Sequence, residues 1–593
     1  QPFVAMHILE FLACLSRLHS LYSNFREDDY RIVFGICFRY LQYVREKKHA
    51  MRGSIASEPA TPSVASASQH DVLGHQATDD LPQYVYALAY HVITFWFLAV
   101  KLPDRPNHIG WIAKNLFTDV DGSASNEEQA QITLDFMQRV AFSDASDSAQ
   151  DPLFKEEYFG TIHKKRWIIG NSLVTIRQAK DSNWAEITRR YPSGTSSYAV
   201  RVEFTPMPGH AAPDGSDAMA WDGRFQQGIT IFPSHLLMQL LAPMPQIYDP
   251  AVRPIPLPDE EAVDRAIRSF DLNSPVDGHK VGVIYIKEGQ THETEILANT
   301  MGSPDYHRFL KGLGALTRLK GATFNTQGLD RVNDMDGQYT YCWRDRVTEI
   351  VFHVTTQMPT NLEHDPQCIM KKRHIGNDFV NIVWNDSGKP FRFDTFPSQF
   401  NYVYIVITPT PRVPFLAART ARKEDDDEQR FVMVQVMSQP GFPEISPAAE
   451  PKIISLKALP SFVRLLALNA SVFSLVWANR EGGEHVSSWR NRLREINRLR
   501  ERYGPKTTGS GGGGPLQGIS PSPPPGIQHH SHNHQYGHQF HLGGSHHHHQ
   551  YQFHLPSITQ QPMTLDLSGT GSPGGPTPSA PTGPGGSASG SIS

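Results

Sequence analysis

From residue 260 onward, short apolar and β-branched runs alternate with segments of helical spacing, and this alternation constrains the fold more than any other feature. The runs predict strands at 281–286, 338–343, 380–384 and 402–407. The helical patterns predict helices at 306–319, 346–357 and 455–479. Strands interleaved with helices are typical of an α/β layer. We therefore predict an α/β domain with a mixed sheet flanked by helices.

Two other patterns precede this domain. Residues 3–48 and 81–142 carry apolar residues at helical spacing, and the first segment is interrupted near residues 24–29. Residues 165–205 contain short apolar runs separated by a Tyr-Pro-Ser-Gly turn, which predict a small antiparallel sheet. The chain thus combines helical, β-rich and α/β parts.

Residues 84–100 form an apolar stretch in which His91 is the only ionisable group apart from tyrosines. Seventeen residues is the lower limit for crossing a bilayer, so the stretch raises the question of a transmembrane helix. Polar groups are spread through it, and prolines and charges flank it. We predict a buried helix and no transmembrane span.

Composition excludes several classes of protein. A chain of 593 residues with 39% apolar content holds two or three globular domains. Its net charge of −4 does not fit a nucleic-acid binder. The four cysteines show no CxxC pair, which argues against structural zinc and a disulfide framework. The chain begins within an apolar pattern and has no signal peptide, so we interpret it as a fragment of a longer protein.

Residues 505–593 are rich in Gly, Pro and Ser and predict a disordered tail. Residues 529–554 within it hold eleven histidines, a composition that binds divalent metals in vitro without implying a catalytic metal. The acidic residues 424–428 predict a solvated surface loop. We predict no metal site and no cofactor.

The run KKRHIGNDFVNIVWNDSG at 371–388 is the strongest candidate for a functional site. If residues 371–379 form a short helix, His374 and Asn377 lie on one side of it, with Lys371 and Asp378. That stripe would offer a cation, an imidazole, a carboxamide and a carboxylate to one ligand. The chain has no GxxxxGK[ST] loop, so it lacks the most common phosphate-binding motif.

This run resembles the asparagine-containing motif of the Rap-GAP domain family and, within it, the tuberin family. Further similarity lies between about residues 80 and 500, including HKVGVIYIKEGQ (279–290), DGQYTYCWRD (336–345), SQFNYVYIVITP (398–409) and SSWRNRLREINRLRERY (487–503). Blocks upstream, LPDRPNHIGWIAKNL (102–116) and RWIIGNSLVTI (166–176), also resemble tuberins.

The resemblance implies a domain plan. It comprises a helical segment (1–48), a linker (49–80), the end of an α-solenoid (81–160), a β-rich subdomain with possible self-association (161–259), a Rap-GAP domain (260–504) and a disordered tail (505–593).

The resemblance also implies residue roles. Asn377 would be the catalytic "Asn thumb" that positions water on a GTPase, and His374 would support its helix or touch the GTPase. Lys371, Lys372 and Arg373 would steer the partner or form a solvated basic edge. Arg373 could instead act as an arginine finger. Asp378 would contact the GTPase or, preferably, tie the helix to the fold.

The implied function is GTPase activation, without turnover of an independent substrate. The implied partners are a Ras-family small GTPase in its GTP–magnesium form, with Rheb preferred, and a hamartin-like subunit. The protein would restrain TOR signalling in the cytoplasm or at endomembrane, vacuolar or lysosomal surfaces. Alternatives are a Ral- or Rap-directed activator and a catalytically silent scaffold subunit.

The basic segment 490–502 has six arginines and an apolar stripe. It predicts either a docking helix with a charged outer face, a GTPase contact, or an amphipathic helix for membranes or calmodulin. The sequence leaves these readings open.

Overall fold

A computed structural model of the chain describes most of residues 2–505. The described residues are 2–55, 81–119, 121–144, 146–180, 182, 184–201, 232–241, 253–410, 430–444, 446–479 and 487–505. Most of the predicted linker, the acidic run 424–428 and nearly all of the predicted tail lie outside them.

Fourteen α-helices are present in the described residues. They are α1 (Pro2–Leu15), α2 (His19–Tyr22), α3 (Glu27–Ile55), α4 (Leu81–Ala99), α5 (Arg105–Leu116), α6 (Glu128–Val140), α7 (Glu156–Phe159), α8 (Pro233–Leu241), α9 (Glu261–Leu272), α10 (Glu293–Leu297), α11 (Pro304–Leu313), α12 (Ile369–Ile375), α13 (Leu459–Ala478) and α14 (Ser488–Tyr503).

Thirteen strands in the same residues form two sheets. They are β1 (Ile162–Ile169), β2 (Ser172–Ala179), β3 (Trp184–Tyr191), β4 (Gly194–Arg201), β5 (Ile255–Leu257), β6 (Asp277–Ile286), β7 (Ala315–Arg318), β8 (Tyr339–Arg344), β9 (Thr348–Val354), β10 (Val380–Asn385), β11 (Val403–Pro409), β12 (Phe431–Ser438) and β13 (Lys452–Ser455).

The larger sheet confirms the predicted fold class. Its eight strands run in the order β13-β12-β11-β10-β6-β9-β8-β7. The four central strands are parallel and the outer ones antiparallel, so the sheet is mixed. Helices cover both faces, because α11 and α13 belong to one apolar core and α10 and α12 to the other. Burial on both faces explains why β10 and β11 read as continuous apolar runs.

The smaller sheet also agrees with the predicted β-rich region. Its five strands are antiparallel in the order β4-β3-β2-β1-β5. Its core holds leucines from α8 on one face and residues of α9 and α14 on the other.

Two predicted helices are wrong in whole or in part. The predicted helix at 346–357 is instead strand β9, all of whose residues are buried, followed by one 3-10 turn at Thr355–Gln357. A short apolar run cannot distinguish a buried strand from a buried helix. The helix predicted at 306–319 ends at Leu313, because Gly314 is extended and β7 begins at once. A side chain at Gly314 would lie 2.6 Å from the carbonyl oxygen of Cys342, so only glycine fits this turn.

The N-terminal helices pack against the larger sheet's helical layer. As predicted, α4 is a buried helix, and it contacts α1, α3 and α13. The Tyr84 hydroxyl donates to Glu10 on α1 at 2.9 Å and lies 3.3 Å from the carbonyl oxygen of Asn469 on α13. Helix α13 is long and apolar enough to cross a membrane. The same holds for α4 and α5 if they are taken together as one span with a bend of 116°. Their apolar residues contribute to the protein core.

Helix α14 docks on the rest of the protein through its apolar face, in agreement with the first of the three readings of the basic segment, while a GTPase contact by its charged face stays a prediction. Its apolar stripe, Trp489, Leu493, Ile496 and Leu499, is buried. The Arg492 guanidinium is also buried and donates to the carbonyl oxygens of Tyr191, Phe270 and Asn273. The helix therefore joins the smaller sheet to the rest of the described chain, while the domain boundaries stay a prediction.

Candidate functional site

The site is built around α12, a helix of only seven residues. It begins after Cys368, whose φ of 51° turns the chain sharply. The Asp365 carboxylate accepts hydrogen bonds from the backbone N–H groups of Ile369 and Met370 at 2.7 and 2.9 Å. These N–H groups have no partner within the helix, so Asp365 satisfies them and complements the helix dipole. The helix ends at Gly376, whose N–H donates to the Lys372 carbonyl.

Two buried carboxamides hold the end of α12 from below. The Asn401 Nδ2 donates to the carbonyl oxygens of Ile375 and Asp378 at 2.8 and 2.7 Å. The Asn381 Nδ2 lies 3.3 and 3.4 Å from the same two oxygens. Both asparagines therefore satisfy carbonyls that a helix end leaves without partners.

The sheet register makes room for this support. Asn381 on β10 lies opposite Gly282 on β6. A Cβ atom at Gly282 would lie 1.8 Å from the Asn381 Oδ1, so the missing side chain is what admits the carboxamide. Gly282 in turn lies opposite His353 on β9. One row of the sheet thus places Asn381 and His353 under α12.

Asn377 is exposed, directly beyond the helix end. Its Nδ2 donates to the Arg373 carbonyl oxygen at 2.6 Å. Because a carbonyl oxygen cannot donate, this contact fixes the amide orientation and leaves Oδ1 as a free acceptor. The second Nδ2 hydrogen is also available. Ser398 supports the preceding turn by donating to the Gly376 carbonyl at 2.5 Å.

His374 lies inside the protein and is paired with a carboxylate that the sequence analysis did not identify. Its Nε2 is 2.8 Å from the Asp336 Oδ1, and the Arg373 Nη2 donates to the same oxygen at 2.6 Å. Burial by itself would raise the pKa of Asp336, but hydrogen bonds from His374, the Asp330 N–H and Arg373 outweigh it and lower the pKa to about 2. Asp336 is therefore an anion at neutral pH.

A second buried pair lies beside the first. The Asp378 Oδ2 is 2.8 Å from the His353 Nδ1, and Lys280 lies 3.6 Å from its other oxygen. The His353 and His374 rings meet edge to face at 5.2 Å between centroids. Two histidine–carboxylate pairs thus form a polar layer beneath α12.

The predicted stripe of four groups facing one ligand is wrong. The Lys371 side chain is buried, and its Nζ donates to the carbonyl oxygens of Leu297 and Asn299 at 2.9 and 3.2 Å. Burial lowers the pKa of Lys371 to about 8. Asp378 and His374 are buried as well. Lys371 and His374 on the helix and Asp378 just beyond it therefore face the core, and of the four groups only Asn377 is exposed. The burial of Asp378 agrees with the preferred reading, in which it ties the helix to the fold.

Lys372 and Arg373 do reach the surface. The Lys372 Nζ donates to Glu293 at 2.8 Å, and its side chain is about 38% exposed. Arg373 is 42% exposed at its side chain, with one guanidinium nitrogen held by Asp336. An arginine held by a carboxylate is less free to reach a partner, whereas the Asn377 carboxamide is exposed.

Two family models match the chain. The Rap/ran-GAP model matches residues 296–498, which include every residue of α12 and Asn377. The tuberin model matches residues 2–50, in the N-terminal helices.

Curated relatives agree with these matches. The tuberous sclerosis 2 protein homolog of Schizosaccharomyces pombe is 37% identical over 512 residues, covering 85% of this chain and 35% of that protein. The chain belongs to the tuberin family. The human Ral GTPase-activating protein subunit alpha-1 is 33% identical over 215 residues, which is 36% of this tuberin-family chain and 10% of that protein.

A solved chain titled "Structure of the TSC2 GAP domain" is 93% identical to this tuberin-family chain. The match covers 34% of this chain and 100% of that one, with a TM-score of 0.31. The chain spans about a third of the length of the Schizosaccharomyces pombe protein and a tenth of the length of the human Ral GTPase-activating protein subunit alpha-1.

Sequence reasoning missed four supporting residues in this tuberin-family chain: Asp336, His353, Asn381 and Asn401. His353 lies in the segment predicted as a helix, so its place in the sheet could not be recognised. Asn381 within an apolar β-branched run was a usable signal, because a buried amide needs partners.

Proposed function

We propose that this chain activates GTP hydrolysis by a Ras-family small GTPase, by presenting Asn377 in trans to the partner's bound GTP and magnesium. The observation that carries the proposal is a contrast at α12: Lys371, His374 and Asp378 are buried and paired, while the Asn377 carboxamide is exposed with a fixed orientation. Family membership supports it, because the matched model describes GTPase-activating domains.

The chemistry follows from what a carboxamide can do. The Asn377 Oδ1 can accept a hydrogen bond from the attacking water, and the remaining Nδ2 hydrogen can donate to a phosphate oxygen. A carboxylate at this place could only accept, and its charge would repel the γ-phosphate. Orienting the water is the part of phosphoryl transfer that a GTPase without a competent glutamine lacks.

His374 acts in this proposal from inside the protein, by supporting the helix. Lys372 and Arg373 are partly exposed near Asn377. Their positive charges would attract the acidic surface around the nucleotide that the partner binds. The chain supplies groups to the GTPase and turns over no substrate of its own.

We propose Rheb as the GTPase and a hamartin-like protein as the assembly partner, with restraint of TOR signalling from the cytoplasm or an endomembrane surface as the outcome. Similarity to the tuberous sclerosis 2 homolog over 85% of the chain supports this choice over a Ral- or Rap-directed activator. The match to the Ral regulator is confined to 36% of the chain, so it supports the shared chemistry more than the same substrate.

The test is single-turnover GTP hydrolysis by purified Rheb, Rap and Ral, with the unchanged chain and with Asn377→Ala. We expect acceleration of Rheb that Asn377→Ala lowers by about 100- to 1,000-fold, the usual loss when one transition-state hydrogen bond is removed. Acceleration of Rap or Ral alone would change the substrate and keep the mechanism. No acceleration of any of the three would leave the catalytically silent scaffold.

A further inference from the structure

The loop between β7 and β8 contacts α12 through the side chain of Asp336. This carboxylate is buried, and each of its oxygens has a partner. Oδ1 accepts from Arg373 and His374, and Oδ2 accepts from the Asp330 backbone N–H at 2.8 Å. Asp336 thus connects its own loop to two successive residues of the helix.

The loop itself is ordered by local hydrogen bonds. The Asp330 carboxylate accepts from the N–H groups of Val332, Asn333 and Met335 at 3.0, 2.8 and 3.0 Å. Gly337, directly after Asp336, has a φ of 102°, and a Cβ atom there would lie 2.5 Å from the Gln357 carbonyl oxygen. The backbone on both sides of Asp336 therefore has a defined path, and its carboxylate is presented from a fixed position.

The contact from Asp336 leads directly to Asn377. Arg373, whose guanidinium is held by Asp336, is also the residue whose carbonyl oxygen accepts from the Asn377 Nδ2. His374, the second partner of Asp336, supplies the carbonyl oxygen that accepts from the Asn377 backbone N–H at 2.9 Å. Both main-chain oxygens that orient Asn377 thus belong to residues whose side chains Asp336 fixes.

We propose that Asp336 is a positioning residue for Asn377, which fixes the last turn of α12 so that the carboxamide points at the GTPase nucleotide. The inference rests on the proposed function, since it concerns the group that acts there. Asp336 is buried, so it would act through Arg373 and His374 and not by contact with the partner. A misplacement of about 1 Å at a reacting group costs about 100-fold in rate, so holding the turn has a large effect without a new contact.

The experiment measures the maximal hydrolysis rate and the half-saturating chain concentration separately. We expect Asp336→Asn to lower the maximal rate about tenfold and Asp336→Ala about 100-fold, with half-saturation within about twofold of the unchanged chain. The matched control is Asp305→Asn, which removes another partly buried aspartate–arginine pair, with Arg430, on α11. It should leave both quantities unchanged.

A double-mutant cycle separates positioning from a general structural effect. In the Asn377→Ala background, Asp336→Asn should lower the remaining rate by less than about twofold, because the group that it positions is gone. If the two substitutions lowered the rate by independent factors that multiply in the double mutant, the proposal would be overturned. A higher half-saturating chain concentration with an unchanged maximal rate would overturn it as well. If Asp336→Asn does not fold, His374→Gln removes one partner of the same carboxylate and should give the same non-additive pattern.

Hydrogen exchange keeps this test independent of the proposed function. Asp336→Asn should speed exchange at the Gly376 and Asn377 N–H groups, and Asp305→Asn should not. If the unchanged chain activates no GTPase while exchange responds as expected, the proposed function fails and the positioning contact stands. Unchanged exchange together with an unchanged maximal rate would overturn the positioning role.

Discussion

Helices α12 and α14 differ in the contacts that dominate their packing. The seven residues of α12 end on carbonyl oxygens satisfied by Asn381 and Asn401, and buried polar pairs lie beneath it. The sixteen residues of α14 bury a continuous apolar stripe. A helix as short as α12 is unstable alone, so its place depends on directional contacts. The comparison teaches that polar contacts fix where a side chain points, whereas apolar burial mainly supplies stability.

The largest effect on stability should come from α14. Leu493 is fully buried, so Leu493→Ala should lower the free energy of unfolding by about 2–5 kcal/mol through lost burial and the cavity left behind. Because Leu493 and the buried apolar residue of α12, Ile375, belong to different apolar cores, the activation per folded molecule should stay unchanged. Urea denaturation measures the first quantity, and hydrolysis normalised to folded protein the second.

The matched control for this substitution is Leu272→Ala at an exposed leucine, which should change stability by less than about 0.5 kcal/mol. A loss of activation per folded molecule in Leu493→Ala would contradict the separation between the two helices.

The converse experiment acts under α12. In Gly282→Ala the new methyl group would overlap the Asn381 carboxamide, so the side chain must move away from the Ile375 and Asp378 carbonyls. We expect a loss of about 1–3 kcal/mol in stability and a fall in activation per folded molecule. Thermal unfolding and single-turnover hydrolysis measure the two.

Gly35→Ala is the control for this glycine, because a Cβ atom there meets open space within α3. It should stabilise the chain by up to about 1 kcal/mol. Full activation by Gly282→Ala would show that the support from Asn381 is dispensable.

The difference between the helices also explains how much the sequence revealed. The apolar stripe of α14 is periodic, so its buried face could be read directly from residues 489–499. The alternation from residue 260 likewise led to the correct α/β layer. The inward direction of Lys371 could not be predicted, because its partners, Leu297 and Asn299, are distant in sequence. The preferred reading of Asp378, that it ties the helix to the fold, agrees with its burial, although its partner His353 could not be named. The family resemblance singled out Asn377 as a candidate, whereas the residues that support it could be found only from the strand register.

Acid should weaken the polar layer under α12. The pKa of Asp336 is about 2, below its ordinary value near 3.8, so its contribution to stability is complete above pH 4 and is lost as the pH falls towards 2. The shift corresponds to about 2 kcal/mol. Asp336→Asn should reduce the pH dependence of unfolding in this window, measured by denaturation between pH 2 and pH 5. A pH dependence identical to that of the unchanged chain would show that the pair contributes nothing.

The smallest effect should come from the charged contacts of α14. Glu128 on α6 accepts hydrogen bonds from Arg490 and Arg494, with its side chain 30% exposed. Partly exposed ion pairs are screened by water and salt, so Glu128→Gln should cost only about 0.5–1 kcal/mol. The loss should shrink further in high salt, whereas the loss in Leu493→Ala should not. Glu501→Gln, at an exposed position of the same helix, is the control and should change little. A cost for Glu128→Gln as large as that of Leu493→Ala would mean that α14 depends on polar contacts as much as on apolar burial, and the contrast with α12 would then fail.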